Sequence, residues 1–205
     1  MKTEQIKPIP GVNLPKTVLG WDKFNALITA AEKLFTRSSF FEVSVSDICR
    51  SARTAVGTFY IYFETKTDIY RYLVESYKRQ IKQSLADSIA GCSSRLERER
   101  EGAKSFVMFA VNNPMVYNII WGSLAVDKQL FEDYYTSFAK SYARALTEDQ
   151  AELCNPDVMT LSYALMGISS FLGLRALFEK MTEEQVDKML DESFIPMLRG
   201  GILRQ

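Results

Sequence analysis

The sequence predicts an all-α protein made of two helical units. Apolar residues recur at spacings of three and four over most of the chain, no period-two run is present, and glycine and proline fall mainly between the periodic stretches. With 205 residues and 47% hydrophobic content, the chain can bury one large core or two small ones. It holds 25 Lys+Arg against 25 Asp+Glu and no histidine. The lack of histidine removes Ser-His-Asp and Cys-His nucleophilic arrangements and His-ligated zinc. Cys49, Cys92 and Cys154 are far apart in sequence and form no C-x-x-C pair, so neither a metal nor a cofactor is expected. An odd cysteine count without an apolar leader predicts a reducing, cytoplasmic setting.

Residues 1–17, with Pro8, Pro10 and Pro15, read as a flexible tail. Phe24, Leu27, Ile28, Ala31, Leu34 and Phe35 then place a first helix over 18–38. Ser44 stands three residues before Asp47 in the pattern of a capping box, opening a short helix that turns Val45, Ile48, Cys49 and Ala52 inward. Arg53, Thr54 and Ala55 make a tight connection to another short helix, Val56 to Phe63. Thr65 with Asp68 repeats the capping spacing and starts a fourth helix that runs toward Ile81 or beyond. Two short helices joined by three residues have the form of a helix-turn-helix, whose second helix enters the DNA major groove. Phe59 and Phe63 suffice to anchor that helix, leaving Thr58, Tyr60, Ile61 and Tyr62 for other work; Tyr60 and Tyr62 fit an amphipathic core equally well. Residues 1–80 carry 12 basic against 8 acidic side chains, and residues 81–205 carry 13 against 17, which hints at an anionic partner for the first part.

Leu27 to about Tyr77 resembles the DNA-binding domain of the TetR family of transcriptional regulators. The matching residues are Ala30-Ala31, Leu34-Phe35, Val45, Asp47-Ile48, Ala52, Gly57-Thr58-Phe59-Tyr60, Phe63, Lys66 and Asp68. The pattern A-x-x-S-x-G-T-x-Y-x-x-F is met except at its serine, which is Ala55 here. The resemblance implies an N-terminal helix-turn-helix DNA-binding domain at 18–80 and a helical ligand-binding and dimerisation domain at 81–205. By position, Ser44 would contact phosphate at the start of the second helix. Val56, Thr58 and Ile61 would face base edges, with Gly57 letting the backbone approach. Tyr60, Tyr62 and Lys66 would contact backbone phosphates. Packing between helices is the other reading of Gly57, and a solvated helix start that of Lys66. Two departures stand out: Arg53 occupies a turn position that favours positive φ and is usually glycine, and Val56 and Ile61 replace polar residues, shifting readout toward thymine methyls and DNA shape.

Gly91 to Ser94 mark a break. The alternating charges from Arg95 to Glu101 read as a solvated helix face, continued by apolar Phe106 to Val111 and ended at Asn113-Pro114. A short helix holding Tyr117 and Trp121 follows, then one from Asp127 to Leu146, and two more from about Pro156 to Lys180 and from Thr182 to Leu198. The run Val158 to Leu174 is uncharged but is interrupted by Ser162, Gly167, Ser169, Ser170 and Gly173 and followed by Arg175, so it reads as a buried helix and not a membrane span. A helix apolar nearly all round must be covered on every side, which a second subunit does readily. TetR resemblance implies the same: a homodimer formed through the last two helices, reading a palindromic operator in double-stranded DNA.

The resemblance also places aromatic and methionine residues of the second part around an effector pocket. The candidates are Phe106, Phe109, Tyr117, Trp121, Phe138, Tyr142, Tyr163 and Met166, although residues at such spacing also build plain core. Sparse charge there favours a hydrophobic or aromatic small molecule, acyl compounds included, with the fourth helix as the lever to the DNA-binding part. A repressor reading follows the family's usual mode. An adaptor of the same fold that has lost specific DNA binding is the alternative, since Ala55, Val56 and Ile61 depart from the pattern. An enzyme using Glu183-Glu184 is disfavoured, because carboxylates at a helix start partner its dipole.

Overall fold

The computed structural model describes residues 8–153 and 157–201; residues 1–7, Cys154 and Pro156 lie outside the described residues. Ten α-helices are described: α1 Val18–Arg37, α2 Val45–Ser51, α3 Val56–Tyr62, α4 Lys66–Ile89, α5 Arg95–Asn112, α6 Val116–Val126, α7 Lys128–Glu148, α8 Val158–Phe178, α9 Glu183–Met189 and α10 Ile195–Gly201. Val12 and Phe63 form an isolated antiparallel bridge. The chain divides into two units. The first takes in the chain through Tyr77 together with Met115–Glu132, the second Lys78–Pro114 and the chain from Asp133 on.

The first unit is built around Phe24, which is fully buried. Trp21, Tyr62, Phe63 and Tyr72 surround its ring at centroid distances of 5.5, 5.5, 5.0 and 4.9 Å, three of them edge-on and Phe63 stacked. Edge-to-face pairs of this kind each add about 0.5–1.5 kcal/mol beyond area burial. Assignment of α6 to this unit departs from the sequence boundary at residue 80. The Tyr70 hydroxyl of α4 donates to the Ile119 carbonyl of α6 at 2.7 Å, and a Cβ on Gly122 would lie 2.6 Å from that hydroxyl oxygen. Burial pushes the Tyr70 phenol well up, so it stays a donor. The described part of the expected flexible tail also differs. Asn13 N–H donates to Tyr62 O at 2.8 Å and Glu64 N–H to Gly11 O at 3.0 Å, which pins residues 11–13 against the end of α3.

In the second unit Val107, Leu146, Leu161, Leu165, Ala176, Val186, Leu190, Phe194 and Leu198 form a largely aliphatic core between α5, α7, α8 and the last helices. The charged run at the start of α5 is packed against neighbours, contrary to the solvated face read from sequence. Arg95 and Glu99 are 4% and 3% exposed. The Arg95 Nε donates to Glu99 Oε1 at 2.8 Å, Tyr142 donates to the other Glu99 oxygen, and Arg98 pairs with Asp149. Arg100 holds Asp187 and Asp191 at 3.1 and 2.6 Å, and Lys104 holds Glu183 and Asp187 at 2.9 and 2.8 Å. Residues 95 and 99 share one face, and that face meets Tyr142 and Asp149, so alternation in sign conceals a buried network. The final helix is also interrupted. Pro196 has no N–H and would clash with the carbonyl four residues back, and Leu190–Phe194 widens into a π turn in which Ile195 N–H reaches Leu190 O.

Candidate nucleic-acid interface

α2 begins with the capping box that its sequence announces. Ser44 Oγ accepts from Asp47 N–H and Asp47 Oδ2 accepts from Ser44 N–H, both at 3.1 Å. The Ser44 hydroxyl hydrogen bond is the first of several that hold the Asp47 carboxyl below its usual range, and Asp47 also binds Arg50 at 2.9 Å. The helix ends in a Schellman motif, with Thr54 N–H on Cys49 O at 3.0 Å and Arg53 N–H on Arg50 O at 3.2 Å. Arg53 sits there at φ +53°, the left-handed conformation that its position required. An L side chain in that region costs about 1–2 kcal/mol, and here it leaves an exposed guanidinium beside the turn.

α3 starts at Ala55 without a side-chain cap, the consequence of the serine missing from the family pattern. Phe59 faces the core completely, whereas Val56, Tyr60 and Ile61 are 42%, 55% and 61% exposed. A Cβ on Gly57 would meet nothing within 4 Å, so helix packing is not what this glycine serves, and the backbone there is open to close approach. Thr58 is half-buried and Ser44 exposed. The outward side of α3 thus offers Val56, Gly57, Tyr60 and Ile61 on a seven-residue helix held from behind by Phe59 and Tyr62.

Two expected phosphate contacts are corrected. Tyr62 is buried at 8% exposure and packs edge-on to Phe24, because with Phe59 and Phe63 it completes the inward side of α3. Lys66 spends its ammonium on the loop between α1 and α2, donating to the carbonyls of Phe40 at 2.6 Å and Val43 at 2.7 Å, and stands 4.2 Å over the Phe40 ring. Burial lowers its pKa. Both residues position the motif instead of facing outward.

The effector candidates fall in both units. Tyr117 and Trp121 are on α6 in the first, buried and exposed respectively. In the second unit Phe106, Phe109, Phe138 and Met166 are half-buried. Tyr142 is committed to Glu99 and packs on the aliphatic core, and burial with that carboxylate raises its pKa well above the usual phenol range. Tyr163 lies at 47% exposure on the side of α8 that also bears Met159, Phe171 and Phe178, at 41%, 69% and 75%. The opposite side of α8, Leu161, Ser162, Leu165, Gly173 and Ala176, is buried. The expectation of a helix covered all round is therefore met on one side only within a single chain. Among the described residues no cluster of acidic, cysteine or histidine side chains could hold a metal ion.

Residues 27–73 match the family model described as bacterial regulatory proteins, tetR family. A helix-turn-helix-type transcriptional regulator of Bacillus subtilis, YwcC, is 38% identical over 76 residues, which cover 37% of this chain and 32% of YwcC, so the match spans about a third of that relative's length. A TetR-like transcriptional regulator from Rhodococcus superposes with a TM-score of 0.69 at 16% identity, over 91% of this chain and 97% of that one. The fatty acid degradation regulator FadR from Bacillus halodurans does so with a TM-score of 0.72 at 14% identity, over 86% and 93%. Residues 27–73 of this chain are thus similar in sequence to the tetR family of bacterial regulatory proteins, and the chain as a whole is similar in fold to solved TetR-like regulators.

Proposed function

We propose that the protein is a ligand-responsive, DNA-binding transcriptional repressor that binds a palindromic operator as a homodimer. The observation that carries this reading is the outward side of α3, where Val56, Tyr60 and Ile61 stand exposed around an open Gly57 backbone. Exposed aliphatic side chains suit thymine methyl groups, and the Tyr60 hydroxyl suits a phosphate. Thr58 completes the helix face, Ser44 lies exposed at the start of α2, and Arg53 adds a cation at the turn. The protein acts on DNA in the cytoplasm.

Fluorescence anisotropy with duplex from the upstream region of its own gene tests the reading, using excess random duplex as competitor near physiological salt. Saturable binding that survives competitor is expected, because specific sites exceed non-specific ones by roughly 10³–10⁷-fold. Loss of all binding to competitor, followed by failure to select any duplex from a random pool, would favour the adaptor reading instead.

The uncovered side of α8 supports dimerisation through the last two helices, since Met159, Tyr163, Phe171 and Phe178 on that side are otherwise left in water. Sedimentation should show a dimer that Phe171→Glu converts to monomer at micromolar concentration; a monomeric wild-type chain would refute this contact. A hydrophobic effector is best accommodated by the half-buried Phe106, Phe109, Phe138 and Met166 of the second unit. Sharing the fold of a fatty acid degradation regulator is in keeping with an acyl-type compound. α4 runs as one helix from residues of the first unit into residues of the second, which makes it the lever for a coupling of about 1–3 kcal/mol.

A further inference from the structure

We infer that residues 9–13 form a strap that positions the recognition helix α3, with Gly11 and Asn13 as its positioning residues. The functional consequence rests on the DNA-binding reading of α3; the cause lies in the geometry of the first unit alone. A helix of seven residues without a side-chain cap is marginal by itself, and its last carbonyls need partners from outside. The strap supplies them. Asn13 N–H donates to Tyr62 O at 2.8 Å, and Asn13 Nδ2 reaches Ile61 O at 3.4 Å. Glu64 N–H donates to Gly11 O at 3.0 Å, and Val12 pairs with Phe63 in the antiparallel bridge. These contacts fall on the turn that carries Ile61 and on the two residues following α3, so they fix where the exposed face of α3 points.

Gly11 is what lets the strap pass. It has φ +72°, and a Cβ there would lie 2.4 Å from Asp68 Cγ and 2.5 and 2.6 Å from the carboxylate oxygens. Asp68 has no room to yield. It is 6% exposed, and its Oδ2 accepts from Thr65 N–H at 2.9 Å and from the Thr65 hydroxyl at 2.7 Å, which caps α4. Its Oδ1 binds Arg71 at 2.6 Å, and Arg71 also reaches Asp127 at 3.4 Å and the Pro10 carbonyl at 3.5 Å. The start of α4, the strap and the end of α3 therefore share one polar hub. Pro10 in the strap and Pro8 and Pro15 beside it restrict the free chain, which lowers the entropy lost when the strap docks.

The test is Gly11→Ala in the full-length chain, read by amide hydrogen exchange in the free protein and by anisotropy with a duplex that the intact protein selects from a random pool. Faster exchange across residues 57–64 with unchanged exchange in α5 is expected. Binding to the selected duplex should weaken by about tenfold or more, because a side chain at that φ strains the docked strap. Affinity for random duplex should stay within about twofold, since phosphate contacts alone do not need the helix aimed. That loss of selectivity separates positioning from a general loss of structure. Gly91→Ala is the control, being also at positive φ (+95°) but with open space around it, and it should change neither reading. If Gly11→Ala does not fold, a chain lacking residues 1–13 should give the same exchange pattern, as α1 keeps its own cap at Thr17. Unchanged exchange in α3, or operator affinity within about twofold of wild type, would overturn the inference. Should the intact protein select no duplex, the DNA-binding reading fails, while the exchange measurement still decides whether the strap holds α3.

Discussion

The two units reach rigidity by different chemistry. In the first, four aromatic rings gather on Phe24, and its one buried carboxylate among the described residues, Asp68, caps α4 and pairs with Arg71. In the second, an aliphatic core lies beside buried charge, with Arg95 and Glu99 almost fully enclosed and Tyr142 and Asp149 completing their shells. Ring packing tolerates no gap but does not depend on carboxylate protonation. A buried ion pair is worth little net, yet it punishes the loss of either member, because the survivor is left charged without a partner. The first unit is thus the more fragile to loss of volume, and the second, with its larger charge network, to loss of charge.

The largest effects should expose that contrast. Phe24→Ala and Glu99→Ala should each cost about 3–5 kcal/mol, the first through a cavity and the second because the buried Arg95 keeps only Asp149, at 3.3 Å. Only the second should be recoverable by removing the partner. Replacing both Arg95 and Glu99 by apolar residues of similar size should return stability to near wild type in urea denaturation, and a double replacement as damaging as Glu99→Ala would break the comparison.

Acid should separate the units next. Arg98 beside Asp149 and Arg100 beside Asp191 hold those carboxyls below their usual range. A carboxyl with a lowered folded-state pKa stabilises fully above its unfolded value of about 3.9 and loses that contribution as pH falls through the folded value. Amide exchange from pH 6 down to 3 should therefore show protection failing in α5 before it fails in α1. Simultaneous loss would mean that the ion pairs carry no special share. At the alkaline end both units should weaken above about pH 10, because burial raises the phenols of Tyr70, Tyr77 and Tyr142 and the unfolded chain ionises first.

The smallest effects concern caps, where the units are alike. Ser44 caps α2 and Ser94 caps α5 through backbone N–H groups three residues on. Either serine replaced by alanine should cost about 1 kcal/mol in thermal or urea unfolding. A markedly larger loss at Ser44 would show that the box also carries the turn into α3.

Whatever depends on neighbours in the chain could be read from the residues. The capping spacings Ser44/Asp47 and Thr65/Asp68, the break at Asn113-Pro114 and the positive-φ site at Arg53 are local, since each is decided by sterics and hydrogen bonds within about six residues. Hence the helices before residue 130 begin and end close to where periodicity places them, and the exposed Val56, Tyr60 and Ile61 follow from the period of α3. What tertiary structure decided involves partners distant in sequence. The residues near Tyr62 leave core and outward face equally open until Phe24 buries it, and nothing near Lys66 tells that the carbonyls of Phe40 and Val43 will take its charge. The alternating run at Arg95 looks solvated until Tyr142 and Asp149 meet one side of it. The segment around Gly11 looks free until Tyr62, Phe63 and Asp68 close on it. Local chemistry determines which face a helix offers, but only packing determines what covers that face, because burial and ion pairing are set by the distances that folding itself creates.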